Sequence, residues 1–258
     1  MFSFQYEQTA GGKACSGNAG VCGMKSDTAQ ILDKLTGALI GLARATEGNE
    51  HMLSDSTAAV TVEGLFATLP NVNFDNDALL ALVDKVDAEK RKLVPECYNC
   101  AASCGRTNDY DIQKLWNAEE DIRSLKSLIL FGIRGVASYA YHAAVLGYKD
   151  ESIHRFLYKA LFSIGMDDWG MEELMPIVLE VGEVNLKCRA MLDKANTETF
   201  GHPKPAQVSL TAEKGISICT HGEMLPVFIS PNVWKLLIEK FNIAPIATPE
   251  ECLKAILG

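Results

Sequence analysis

Apolar residues recur at three- and four-residue spacing along most of the chain up to residue 200, the pattern of helices that bury one face. The strongest instance is 117–148, NAEEDIRSLKSLILFGIRGVASYAYHAAVLGY. There Ile122, Leu125, Ile129, Ile133 and Val136 form one row, and Leu128, Leu130 and Phe131 widen it beyond an ordinary surface stripe. The pattern predicts one long, largely buried helix against which the others pack. Gly132, Gly135 and the alanines at 137, 140, 143 and 144 leave little bulk, so neighbouring helices can approach closely there.

The flanking segments read the same way. Ser26 or Asp27 caps an amphipathic helix with Ile31, Leu35, Leu39 and Leu42 on one face. A second helix over 56–70 centres on Val62, Leu65 and Phe66 and stops at Pro70. Asp75 or Asn76 opens a third through Leu79, Leu82 and Val86, closed by Pro95. Two more cover 151–164 and 171–198. In the latter, Leu174, Ile177, Val181, Val184, Leu186 and Met191 make the buried face, with Cys188 inside it as a packing residue. His142 and His154 lack an acid–cysteine neighbourhood and read as structural or exposed.

The character changes at Gly201–Pro205. QVSLT and ISICTHGEMLPVFI are β-prone, Pro231 introduces a helix around Val233, Leu236, Leu237 and Phe241, NIAPIAT is strand-like, and Thr248 caps a last helix with Pro249 at its first position. The expected fold is therefore mainly α, with packed helical bundles over 1–200 followed by a small α/β remnant over 201–258.

Charge and composition narrow the partners. A formal charge of −9 on 258 residues argues against general binding to nucleic acid or to anionic membranes. No basic, apolar leader follows Met1 and no apolar run reaches the length of a membrane span, so the expectation is a cytoplasmic protein. Eight cysteines then suggest packing, thiol chemistry or soft-metal ligation before disulfides.

Three places gather candidate ligands. Cys15 and Cys22 lie in a glycine-rich stretch that can bend around a zinc ion or cluster, but two sulfurs do not complete a four-ligand site. Cys97, Cys100 and Cys104 form C-x2-C-x3-C in ECYNCAASCGR, a spacing that lets three thiolates converge on zinc or iron. The same segment also reads as a reduced cysteine-rich loop or, less well, as a Cys97–Cys100 redox pair. Cys219, His221 and Glu223 alternate in CTHGEMLP and would share one face of a strand, or sit in a polar turn with one buried thiol.

Several long motifs in order carry a resemblance. MFSFQYEQTA with Cys15 and Cys22, FATLPNVNFD, DIRSLKSLILFGIRG, YKALFSIG, MLDKANTETFGHP and THGEMLP resemble the hybrid-cluster protein family, also called prismane or hydroxylamine reductase, which is distantly similar to carbon monoxide dehydrogenases. The resemblance covers almost all of 1–223, with a break near 215–219, and 227–258 resembles the extreme C-terminal end of the same family. It implies an N-terminal helical domain followed by two α/β domains, most of which this shorter sequence lacks. It also implies an N-terminal iron–sulfur cluster and a buried hybrid iron–sulfur–oxygen cluster that reduces hydroxylamine, with nitric oxide reduction also proposed.

Departures from the family pattern shape the functional expectation. The four cysteines of the N-terminal cluster match Ser3, Tyr6, Cys15 and Cys22 here. Serine and tyrosine oxygens are harder ligands than thiolate, so cluster affinity should fall. Glu223 matches a hybrid-cluster glutamate, but the family's GHDL segment and its downstream cysteine, glutamate and lysine motifs are missing. Hydroxylamine chemistry needs the redox cluster, because side chains alone do not supply the electrons. The expectation is a noncatalytic helical scaffold or assembly protein without a cofactor, pairing as a homodimer over its incomplete α/β edge; ordinary hydroxylamine reductase activity is not expected of this chain alone. The alternative is an iron–sulfur oxidoreductase or electron-transfer protein whose remodelled cluster uses Cys97, Cys100 and Cys104 with Cys15 or Cys22 and serves a redox partner.

Overall fold

The computed structural model describes residues 23–70, 72–94 and 109–202. The chain divides into two units at Gly201, and the helices below all belong to the first. They are α1 (Ser26–Thr46), α2 (Asp55–Ala67), α3 (Asn76–Leu93), α4 (Ile112–Trp116), α5 (Glu120–Val145), α6 (Glu151–Gly165) and α7 (Met171–Phe200), with a 3-10 turn at Glu50–Met52. No strand occurs among the described residues. The mainly α expectation holds; the α/β remnant over 201–258 lies almost entirely outside them.

Polar residues before several of the apolar runs start the helices. The Ser54 hydroxyl accepts from Thr57 N at 3.3 Å to open α2. Asp75 accepts from Asp77 and Ala78 N for α3, and Asp150 from Ser152 N for α6. Each bond satisfies a backbone N–H that has no partner within its helix. α1 departs from expectation: Lys25 is its N-cap, without a side-chain cap. Asp27 instead accepts from Asn76 Nδ2 at 3.0 Å, and Thr28 donates to Asn76 Oδ1 at 2.7 Å. Those bonds tie the start of α1 to the start of α3, and the two helices pack against each other.

The role assigned to 117–148 is shared. α5 is shorter than predicted, preceded by α4 and a turn that ends at the Glu119 cap. It packs against α2, α4, α6 and, most extensively, α7. α1 packs against α2, α3, α4 and α6, and every residue from Leu35 to Ala43 is buried. A one-sided stripe does not describe α1, because Thr36, Gly37, Ala38, Gly41 and Ala43 let neighbours close over its other faces. Each fully buried leucine there contributes about 2 kcal/mol through removal from water.

Gly132 approaches α7 as expected: a Cβ at that position would collide with Val181. Leu130 is buried and Phe131 half-buried, but Leu128 is 57% exposed, so the apolar face of α5 is narrower than the sequence suggests. On α7, Leu174, Ile177 and Val181 are buried, while Leu186 turns outward at 66% exposure. By length and composition α5 is apolar enough to cross a membrane, contrary to the sequence reading. Its four helix neighbours account for that apolarity as core packing.

Candidate functional site

In the sequence, the described residues that flank the strongest thiol motif are Val94 and Asp109. On one side α3 finishes at Leu93 and Val94, both buried. On the other, Asp109 and Tyr110 are fastened to α3 and α1. Lys90, 2% exposed, donates to Asp109 and pairs with Asp87 at 2.8 Å. Burial pushes the Lys90 ammonium down, but the two carboxylates outweigh it and hold its pKa above the usual value. Tyr110 N donates to Gly37 O at 3.0 Å. The close approach exists because residue 37 has no side chain: a Cβ there would overlap the Tyr110 carbonyl. Arg44 lies 5.2 Å from the Tyr110 ring centre, and burial, reinforced by Asp167, pushes the phenol up to about 12.

Other buried polar groups join helices. Arg134 of α5 donates through Nε to Thr68 Oγ1 at 3.0 Å and through Nη2 to Thr36 Oγ1 at 3.2 Å. Burial pushes this guanidinium down to about 10, against the pull of Asp33, and leaves it charged at neutral pH. Glu89 accepts from Ser56 at 3.0 Å, Thr57 at 2.8 Å and Lys92 at 2.6 Å. Burial raises its pKa, but the three donors together hold it below the usual carboxylate range. Lys126 donates to Met166 O at 2.6 Å, and burial pushes its pKa down.

A cleft of about 450 Å³ opens between the end of α1, the start of α2 and one side of α6. Glu47, Glu50, His154, Arg155, Tyr158 and Phe162 are among its walls. His154 is half-buried, and desolvation with Lys149 nearby pushes its pKa below the usual imidazole value. The signal for this wall was present in the sequence: 151, 154, 155, 158, 159 and 162 fall on one side of a helix. Arg155 is paired with Glu151 and Lys159 with Glu180, so these cations act first as surface ties. His142 is exposed and meets the Phe66 ring edge-on at 5.4 Å.

Ser3, Tyr6, Cys15, Cys22, Cys97, Cys100, Cys104, Cys219, His221 and Glu223 all lie outside the described residues. Among the described residues no group of three or more His, Cys, Asp or Glu side chains converges as metal ligands. Cys188, the one described cysteine, is fully buried, with Sγ 3.4 Å from Val136 O, and burial pushes its thiol up to about 11. A thiol held neutral in an apolar setting is a packing residue, as expected, and does not fit an iron–sulfur cluster. The described residues therefore offer no donor set for such a group.

Comparison with known proteins gives the family. The Prismane/CO dehydrogenase family model matches residues 6–223. The chain is 34% identical to a hydroxylamine reductase of Solidesulfovibrio magneticus over 91% of this chain and 51% of the relative. It is 35% identical to one of Porphyromonas gingivalis over 91% and 50%, and 34% identical to one of Caldanaerobacter subterraneus over 98% and 57%. The chain spans about half the length of the curated relatives it matches. A family model spanning most of the sequence, together with relatives at this identity, establishes that the chain belongs to the Prismane/CO dehydrogenase family.

Proposed function

We propose that this chain is a noncatalytic, cytoplasmic helical scaffold or assembly protein that keeps the packed helical unit of hydroxylamine reductase-like proteins without their redox chemistry. The observation that carries the reading is the use made of the charged groups inside that unit. Arg134, Lys90, Lys126 and Glu89 spend their hydrogen bonds on neighbouring helices and turns. By the resemblance, Ser3 and Tyr6 fall where the family carries two of its cluster cysteines, which supports the same reading. The test is anaerobic iron and acid-labile sulfide analysis of the purified chain, with its visible spectrum and a hydroxylamine turnover assay. A colourless, iron-free, inactive protein is expected; stoichiometric iron with turnover would overturn the proposal.

A second reading, a remodelled iron–sulfur cluster for electron transfer, draws on the fastening around 95–108. Both described ends of the segment that holds Cys97, Cys100 and Cys104 are fixed to the helices. Under this reading Cys100→Ser abolishes bound iron and visible absorption while helical circular dichroism persists. Unchanged iron content in that variant would exclude it.

A further inference from the structure

The cleft between the end of α1, the start of α2 and α6 grades from apolar depth to acidic mouth. Tyr158 and Ala58 are buried in its walls, and Leu53 and Phe162 are half-buried. Glu47 and Glu50 also line it but are exposed, so they stand at its mouth.

Tyr158 carries a polar group that packing does not use. The residue is 6% exposed, and its hydroxyl is shut off from water with no hydrogen-bond partner among the described residues. The neighbouring Thr61 hydroxyl donates to Thr57 O at 2.8 Å and does not complete it. Buried hydroxyls are ordinarily paired, because a bare one has given up its bond to water without a replacement. Burial pushes the phenol up to about 12, so it keeps its proton and remains a donor without an acceptor.

The charges of the cleft select what enters it. Arg155 is paired with Glu151, Lys159 with Glu180, and Asp55 with Lys149 at 3.7 Å. Glu47 and Glu50 form no ion pair with a lysine or arginine among the described residues. Glu50 is held below the usual carboxylate range by its own backbone N–H and that of Gly48, so it is ionised at neutral pH. No three ligands converge for a metal ion among the described residues. An organic cation matches the gradient instead, with its charge at the carboxylates and its apolar body against Tyr158 and Phe162. A volume of about 450 Å³ is in the range of small-molecule sites.

We propose that this cleft binds a small organic amine whose protonated end pairs with Glu47 and Glu50 and whose far end is an oxygen that accepts from the Tyr158 hydroxyl. The site lies within the helical unit and holds whether or not the protein carries a cluster.

Tyramine is the probe, because it carries an ammonium, an aromatic ring and a phenolic oxygen in sequence. Isothermal titration of the full chain at pH 7 should give saturable one-to-one binding. Tyr158→Phe removes a single oxygen and should weaken tyramine about fivefold, while leaving phenethylamine, which lacks the phenolic oxygen, unchanged. The double variant Glu47→Gln, Glu50→Gln should weaken tyramine roughly threefold and flatten its salt dependence, while leaving the neutral 4-ethylphenol unchanged. Helical circular dichroism should match the parent in each variant. Absence of saturable tyramine binding up to about 10 mM would overturn the proposal. So would binding indifferent to Tyr158→Phe or to the double variant, or tighter binding of the anion 4-hydroxyphenylacetate.

Discussion

Replacing Gly37 with alanine tests whether the downstream end of the thiol segment is fastened by backbone contact. The added methyl would overlap the Tyr110 carbonyl, a backbone atom that is not free to rotate away. Forcing an extra carbon into packed structure costs about 1–3 kcal/mol. Displacing Tyr110 also stretches its N–H bond to Gly37 O, a loss of about 0.5–1.5 kcal/mol. Against this, alanine is about 1 kcal/mol better than glycine inside a helix. The balance is destabilisation of roughly 2 kcal/mol, or about 4–8 °C in Tm for a unit of this size. Gly135→Ala is the internal control, since its methyl would meet only Asn185 Nδ2 at 3.8 Å. It should gain up to about 1 kcal/mol from helix propensity. Thermal unfolding followed by circular dichroism gives the order, and hydrogen exchange at the Tyr110 amide reports the anchor directly. A Gly37→Ala protein as stable as the parent, with unchanged Tyr110 exchange, would refute the reasoning.

Further consequences are as specific. Gly132→Ala should lose about 1–2 kcal/mol, and a double-mutant cycle with Val181→Ala should recover part of that loss, because the methyl at 132 collides with Val181. Lys90→Met should lose about 2 kcal/mol in chemical denaturation, since it strands Asp87 and Asp109 beside an apolar chain while both retain some contact with water. Burial raises the Asp150 pKa, but Lys187 and Ser152 outweigh it and bring the carboxyl down to about 2. The folded value lies below the unfolded one, so its stabilisation is complete above about pH 5 and disappears as pH falls through about 2. Asp150→Asn should flatten the acid limb of the stability profile, with a loss of about 1–2 kcal/mol at pH 7. Cys188 should resist alkylation at pH 8 in the native protein and react after unfolding, as mass spectrometry of labelled peptides would show.

Much of the helical layout is legible because its signals are local. Ser54, Asp75 and Asp150 each precede an apolar run, and each accepts a hydrogen bond at the start of its helix. The burial of α1 on all sides was hidden because Gly37, Ala38 and Gly41 carry no hydropathy signal, yet their small size admits neighbours. Leu128 and Leu186 were placed in the core because helical spacing says that a residue belongs to a stripe without saying what covers it. At the candidate site, motifs gave the family, whereas the pairing of Lys90 with Asp109 had no sequence signal. Charged partners nineteen residues apart leave no periodic trace. The cleft wall on α6 had one, but its mixture of charge and aromatics also describes an ordinary solvated face.

Arg134 bears on how the protein emerges during synthesis. Its acceptors Thr68 and Thr36 precede it by 66 and 98 residues. The first three helices can form and begin to associate on the ribosome with both hydroxyls already bonded locally, Thr36 to Leu32 O and Thr68 to Leu65 O. Until α5 arrives, the face of α2 that it covers stays open to water. The closing of this core is thus timed by translation of the second half of the helical unit, and Arg134 bridges two hydroxyls that its predecessors have already set in place.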